Sequence, residues 1–233
     1  MSNTMSMWLS CCAALACLGG TLTVSAADPG KKLPVVFEDD FEQGAAHWTP
    51  TDSKVWEVTK LEDGNHVYNL KERRGSYKPP QRSPYTIALR ENVIVGEFVL
   101  DVKVKSTIED YGHRDLCLFF GYQDPSHFYY VHFGKEMDDH ANQIFIVNDA
   151  PRTKISTKTT EGTPWTDEWH HLRVVRRTNN GVIRVYFDDM KKPAMVAKDK
   201  TFTWGKIGVG SFDDIGYFDD LVLRGVQVDQ PSQ

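Results

Sequence analysis

Residues 97–105 read EFVLDVKVK, and their alternation decides the fold class. Phe98, Leu100, Val102 and Val104 fall on one face, while Asp101, Lys103 and Lys105 take the other. Period-two patterning of this kind is the signature of a half-buried β-strand. The pattern continues outward in both directions. Residues 116–122 (LCLFFGY) are apolar on both faces, as expected for a central strand between two sheets. Residues 128–133 (FYYVHF), 143–148 (QIFIVN), 170–176 (HHLRVVR) and 182–187 (VIRVYF) extend the series. Turn-forming clusters separate them, and Asn180-Gly181 between two strands is a strong hairpin signal. No window of helical length keeps a 3.6-residue period. Many short strands with almost no helix predict an all-β protein, a two-sheet antiparallel sandwich or jelly roll.

Two acidic-aromatic stretches bracket this series. Residues 37–44 (FEDDFEQG) open it, and 205–214 (GKIGVGSFDD) with 218–223 (FDDLVL) close it. Each carries apolar residues for a core beside carboxylates suited to a hard cation. If they are neighbours, the chain closes on itself as one domain.

The 233-residue chain has a formal net charge of -5, and its first 27 residues carry no charged side chain. Residues 8–24 are mostly apolar, and Val24-Ser25-Ala26 supplies small residues for a signal peptidase. Residues 1–27 therefore read as a secretory signal and 28–233 as one domain, secreted or periplasmic, with no membrane attachment after cleavage. Of the four cysteines only Cys117 lies beyond that leader, so the domain is expected to hold together without an intrachain disulfide. The mild acidity argues against a nucleic-acid partner, which requires a basic surface.

The Phe37-x-Asp39-Asp40-Phe41 opening followed by Trp48, the 169–174 stretch (WHHLRV) and the Gly-x-Ile-Gly-Val-Gly close before Phe218-Asp219-Asp220-Leu221 together resemble the concanavalin A-like lectin/glucanase superfamily. The resemblance spans residues 35–226. It implies two antiparallel sheets bent into a jelly roll, with a concave face that commonly holds a polysaccharide or oligosaccharide. Its motifs specify fold more than activity. The Glu-x-Asp-x-x-Glu strand of the glucanase branch is absent. The familiar motifs of jelly-roll alginate lyases are absent too, and so are the Leu-Phe-Asn-Gly opening and Asn-Ser-Gly strand of 3-keto-disaccharide hydrolases.

Three readings remain: a carbohydrate-binding domain, a glycan-cleaving enzyme, or a non-catalytic adhesion or structural module. For cleavage, the candidates are Tyr130, His132, His140, Asn142 and Arg152. Tyr130 and His132 stand two apart on a strand and point to one face. Asn142 and Arg152 could neutralise a uronate, with His132 as base and Tyr130 as acid. That reading requires Tyr130 and His132 to face away from the core. For passive sugar contact, the candidates are Arg74 in the basic stretch 73–80 (RRGSYKPP), His113 and Arg114 before the most apolar strand, and Trp165, which follows Gly162-Thr163-Pro164 as a stacking platform. The adjacent pair His170-His171 points to opposite faces and cannot chelate one metal together. From the resemblance, a structural Ca2+ would bridge the two ends of the chain through Asp40, a carbonyl near Gly44, and Asp220, with Asp219 as the rival in a shifted register.

Overall fold

The computed structural model describes Met1 and residues 33–230, so the leader expected over 1–27 lies outside the described residues but for its first. In chain order the strands are β1 (Val35–Asp39), β2 (Trp48–Pro50), β3 (Trp56–Lys60), β4 (His66–Leu70), β5 (Thr86–Arg90), β6 (Val95–Ser106), β7 (Cys117–Asp124), β8 (His127–His132), β9 (Gln143–Asn148), β10 (Thr153–Lys154), β11 (Ser156–Thr159), β12 (His170–Arg176), β13 (Val182–Phe187), β14 (Met195–Lys198), β15 (Lys206–Ser211) and β16 (Gly216–Gln227). One 3-10 turn, Ser53–Val55, precedes β3, and Asp52 caps it by accepting from the Lys54 N–H.

The strands form two antiparallel sheets. A nine-stranded sheet runs β11-β14-β13-β12-β6-β16-β4-β3, with β1 added on β16. A seven-stranded sheet runs β10-β9-β8-β7-β15-β5-β2. Every pairing between named strands is antiparallel, which suits a chain built from alternating strands and short turns. The β12–β13 hairpin turns at Asn180-Gly181 as its sequence predicts, with Gly181 at φ 76°.

The alternating faces meet between the sheets. Phe98, Leu100, Val102 and Val104 of β6 pack in the same buried cluster as Leu118 and Phe120 of β7, Tyr129 and Val131 of β8, and Ile144 of β9. At one end of this core Trp56 stacks on Tyr68 at 4.5 Å, and Tyr68 stacks on Phe41 at 5.1 Å. Such aromatic pairs add about 0.5–1.5 kcal/mol beyond their buried area.

The ends of the chain do meet. Phe37 lies opposite Leu223 and Asp39 opposite Leu221 in the β1–β16 ladder. A bulge in β16 falls between Asp219 and Val222, with Asp220 in the left-handed region at φ 44°. The extra residue explains why Phe218 and Leu221, three apart, both enter the core.

The expectation for residues 116–122 holds with a different cover on one side. Leu118 and Phe120 face the core between the sheets, whereas Cys117 and Phe119 face outward from the seven-stranded sheet. There they join Ile87, Tyr122, Phe128, Tyr130, Phe145 and Val147 in a second buried cluster. The long β4–β5 connection, residues 71–85, closes over this side. Its ties are Ser76 to Asp52, Arg82 O to the Arg152 N–H at 3.0 Å, and Tyr85 against Phe212 at 5.2 Å.

Candidate functional site

Antiparallel register gathers the candidate residues at one end of the sandwich. Gly216 sits opposite both Leu70 and Ser106, Gly210 opposite both Ile87 and Cys117, and Cys117 opposite His132. The connections 71–85, 107–116, 133–142 and 212–215 therefore converge there.

Tyr130 and His132 do share one face, and it is the outward face of the seven-stranded sheet. That face is packed shut: Tyr130 is 0% exposed and His132 4%. Arg152 is brought to Tyr130, its Nη1 donating to the phenol oxygen at 2.7 Å. The same guanidinium lies 4.7 Å from the Phe145 ring centroid and 4.1 Å from that of Phe212. Burial pushes the Tyr130 phenol well above its ordinary value, so it holds its proton. The other two members of the expected quintet have partners of their own. Asn142 is buried, in the left-handed region at φ 51°, and its amide donates to Thr160 O at 2.9 Å. His140 stays exposed on a loop whose Asp138 carboxylate accepts from the His140 and Ala141 N–H groups.

Two expected sugar contacts are corrected. Arg114 is 1% exposed rather than at a groove mouth. Its guanidinium donates to Ser106 Oγ, Ser106 O, Thr166 O and Asp167, tying the end of β6 to the connection that precedes β12. Trp165 is 4% exposed, with its indole N–H donating to Phe133 O at 2.6 Å and its ring edge-on to Phe187. A buried indole with a satisfied N–H cannot serve as a platform. Arg74 and His113 remain at the surface. Arg74 stacks on Tyr85 at 4.1 Å and reaches Asp213 at 3.3 Å, and His113 Nε2 lies 3.2 Å from Asp138.

Beneath Arg73 and Arg74 lies an acidic cluster absent from the expected site. Asp115, Asp213 and Asp214 each present one oxygen, all within 4.8 Å of one another. The Asp115 carboxylate accepts from Cys117 Sγ, Ser211 Oγ and the Phe212 N–H, and His132 Nε2 lies 3.3 Å from its Oδ2. Asp214 accepts from the Asp115 N–H and from the Tyr111 hydroxyl. Burial and the charge of Asp115 push the Asp214 carboxyl up to about 6. For Asp115 burial opposes ionisation, but the neighbouring His132 and the donors around it keep it below the usual carboxylate range.

A second region opens on the outward side of the nine-stranded sheet. Asn65, Lys103, Trp169, His170, His171, Asp188, Asp219 and Asp220 line a cavity of about 330 Å3. Trp169 is half-buried and lies 6.3 Å from the Tyr217 ring. The polar groups are held in place: Asn65 donates to Asp219 at 2.8 Å, Lys103 pairs with Asp220 at 2.8 Å, and Asp188 accepts from the His171 N–H. The two histidines point to opposite faces, as their adjacency requires. His170 is buried against Asp188 and Thr166, and His171 meets Asp101.

No protein-family model matches this sequence, and no curated protein is similar to it in sequence. Solved structures are similar in fold. The carbohydrate binding module CBM66 from Bacillus subtilis superposes with a TM-score of 0.54 at 14% identity, covering 77% of this chain and 96% of that one. Domain 4 of AbnA, an extracellular GH43 arabinanase of Geobacillus stearothermophilus in complex with arabinotriose, gives 0.55 at 13% identity over 84% and 95%. The winged bean acidic lectin complexed with methyl-alpha-D-galactose gives 0.51 at 11% identity over 83% and 98%. The fold is concanavalin A-like.

In this concanavalin A-like frame the chain closure is the β1–β16 ladder. Asp40 and Asp220 line one cavity of about 380 Å3 with Glu38 and Asp39, but Gly44 is not part of its wall. The bulge at Asp220 bears on which aspartate faces outward. Asp219 is 4% exposed and bonded to Asn65, while Asp220 is exposed and paired with Lys103. The Asp115 cluster and the Trp169 cavity are the features that sequence reading missed. Asp213-Asp214 and Asp115 are conspicuous as residues, yet 98 positions separate Asp115 from Asp213, and only the β7–β15 pairing brings them together.

Proposed function

We propose that this protein binds a polysaccharide or oligosaccharide, and that the Trp169 cavity receives the sugar. The observation carrying this reading is the make-up of that cavity: a half-buried indole beside carboxylates, an amide and an ammonium group. An indole face suits the C–H face of a pyranose, and fixed donors and acceptors around it suit ring hydroxyls. Its volume, about 330 Å3, lies within the range of small-molecule pockets. A carbohydrate binding module, an arabinanase domain in complex with arabinotriose and a lectin among the structures of like fold support the same class of ligand. Binding is favoured over cleavage because Tyr130, the expected acid, is buried and bonded to Arg152.

The uncharged, largely apolar first 27 residues support export, to the periplasm or beyond the cell. The carboxylates of Glu38, Asp39, Asp40 and Asp220 around one cavity support a structural Ca2+ at the chain closure, with oxygen donors of the kind that ion takes.

Affinity electrophoresis through gels carrying a panel of neutral and anionic polysaccharides tests the reading. The wild-type chain is retarded by at least one of them, and Trp169→Ala, with an unchanged circular dichroism spectrum, is not. Retardation of neither protein, or of both equally, overturns it.

A further inference from the structure

We propose that the Trp169 cavity is one end of a longer groove, and that the groove holds several consecutive units of an uncharged, linear oligosaccharide. This inference rests on the sugar-binding reading and names the class of sugar. Strand register places the other end. Lys105 stands opposite Tyr217 in the β6–β16 ladder, and one step beyond the His170–Val104 pair Trp169 comes level with Lys105. All three fall on the outward face of the nine-stranded sheet, because their neighbours His170, Val104 and Phe218 are buried. Trp169 and Tyr217 are both half-buried, with ring centroids 6.3 Å apart. The pair forms a saddle with a cavity on each side. The Trp169 cavity includes Lys103 on one side; a second cavity, of about 490 Å3, includes Lys105, Thr107, Glu109, Asp110 and Asp167 on the other. Extended backbone from Lys103 to Thr107 covers about 13 Å, more than one sugar ring spans.

Charge selects against an anionic ligand. Asp188, Asp219 and Asp220 line the first cavity with Lys103, and Glu109, Asp110 and Asp167 line the second with Lys105. Lys103 pairs with Asp220, Arg114 and Lys135 meet Asp110, and Arg114 also meets Asp167. Among the described residues Asp188, Asp219 and Glu109 have no lysine or arginine partner. A uronate or a sulfated sugar entering the groove meets that uncompensated negative charge. Ring hydroxyls without charge find acceptors in the same carboxylates. They find a donor in Lys105, which pairs with no carboxylate among the described residues. The two aromatic rings of the saddle suit the C–H faces of consecutive sugar rings.

Cello-, xylo-, arabino- and galacturono-oligosaccharides of one to six units are titrated into the full chain and followed by isothermal calorimetry. At least one of the three uncharged series binds, with affinity rising at least about tenfold from two units to four. The galacturonate series binds at least about tenfold more weakly. Lys105→Met keeps much of the side chain's length and removes the ammonium, and Thr107→Trp fills the second cavity from an exposed position. Each variant cuts the gain from two units to four to less than about threefold. No binding of any series, an affinity flat with length, a gain kept by both variants, or equal affinity for galacturonate overturns the inference. Trp169→Ala binding like wild type is the separate result that removes the sugar-site reading beneath it.

Discussion

Replacing Arg114 with methionine keeps most of the side chain's volume and removes its five donors. The wild-type guanidinium is 1% exposed and donates to Ser106 Oγ, Ser106 O, Thr166 O and Asp167 Oδ1, with Asp110 3.5 Å away. The two aspartates are 55% and 88% exposed and regain water when the arginine goes, so each contributes about 0–1 kcal/mol. The two acceptors on Ser106 are different, whereas the carbonyl of the exposed Thr166 also regains water. Ser106 is 2% exposed, and its hydroxyl and carbonyl lose donors that water cannot easily replace. A buried acceptor left without a partner costs about 1–3 kcal/mol. Taking the lower half of that range for each of the two Ser106 acceptors gives a loss of about 2–4 kcal/mol for Arg114→Met. With a urea m-value of about 2 kcal/mol/M, the unfolding midpoint falls by about 1–2 M. Arg74→Met, at an exposed guanidinium, moves the midpoint by less than about 0.5 M. Equilibrium urea unfolding followed by tryptophan fluorescence measures both. If Arg114→Met shifts the midpoint no more than Arg74→Met, the guanidinium is solvated and the structural role assigned to it is wrong.

Trp165→Ala loses about 3–5 kcal/mol of stability, read from the same unfolding curves, while the folded fraction keeps its polysaccharide retardation. Tyr130→Phe removes the hydroxyl bonded to Arg152 and costs about 1 kcal/mol in urea, with retardation unchanged; loss of retardation would return Tyr130 to the sugar site. Gly210→Ala places a Cβ 2.0 Å from Thr86 O in the neighbouring strand, so the β5–β15 ladder must part, and thermal melts fall sharply or the chain becomes insoluble. Asp101 is buried and faces His171, Arg173 and Arg224; burial opposes its charge, but those partners hold its carboxyl below the ordinary value. A depressed folded-state value means that this stability is present above about pH 4 and is lost as pH falls through the folded value, so Asp101→Asn flattens the acid limb of a stability–pH profile.

Much of the fold is legible in the chain because β-structure writes its burial into local alternation. The expected strands at 143–148, 170–176 and 182–187 coincide with β9, β12 and β13, and the 97–105 pattern lies within β6. The site is less legible. Tyr130 and His132 share a face as their spacing requires, but nothing local to β8 reveals that residues 71–85 close over that face. Trp165 and Trp169 stand four apart in one polar stretch, and their fates diverge because Trp165 finds the Phe133 carbonyl in a connection 32 positions earlier.

The sequence alone determined the all-β class and a series of short strands suited to antiparallel pairing, since these follow from period-two patterning and turn chemistry, and it raised the meeting of the two ends only as a condition. Tertiary structure alone decided which carboxylates converge and which aromatic face meets water. Asp115, His132 and Asp214 become neighbours through the β7–β8 and β7–β15 ladders, and register across strands far apart in the chain is set by the packing of the whole sandwich rather than by any one segment.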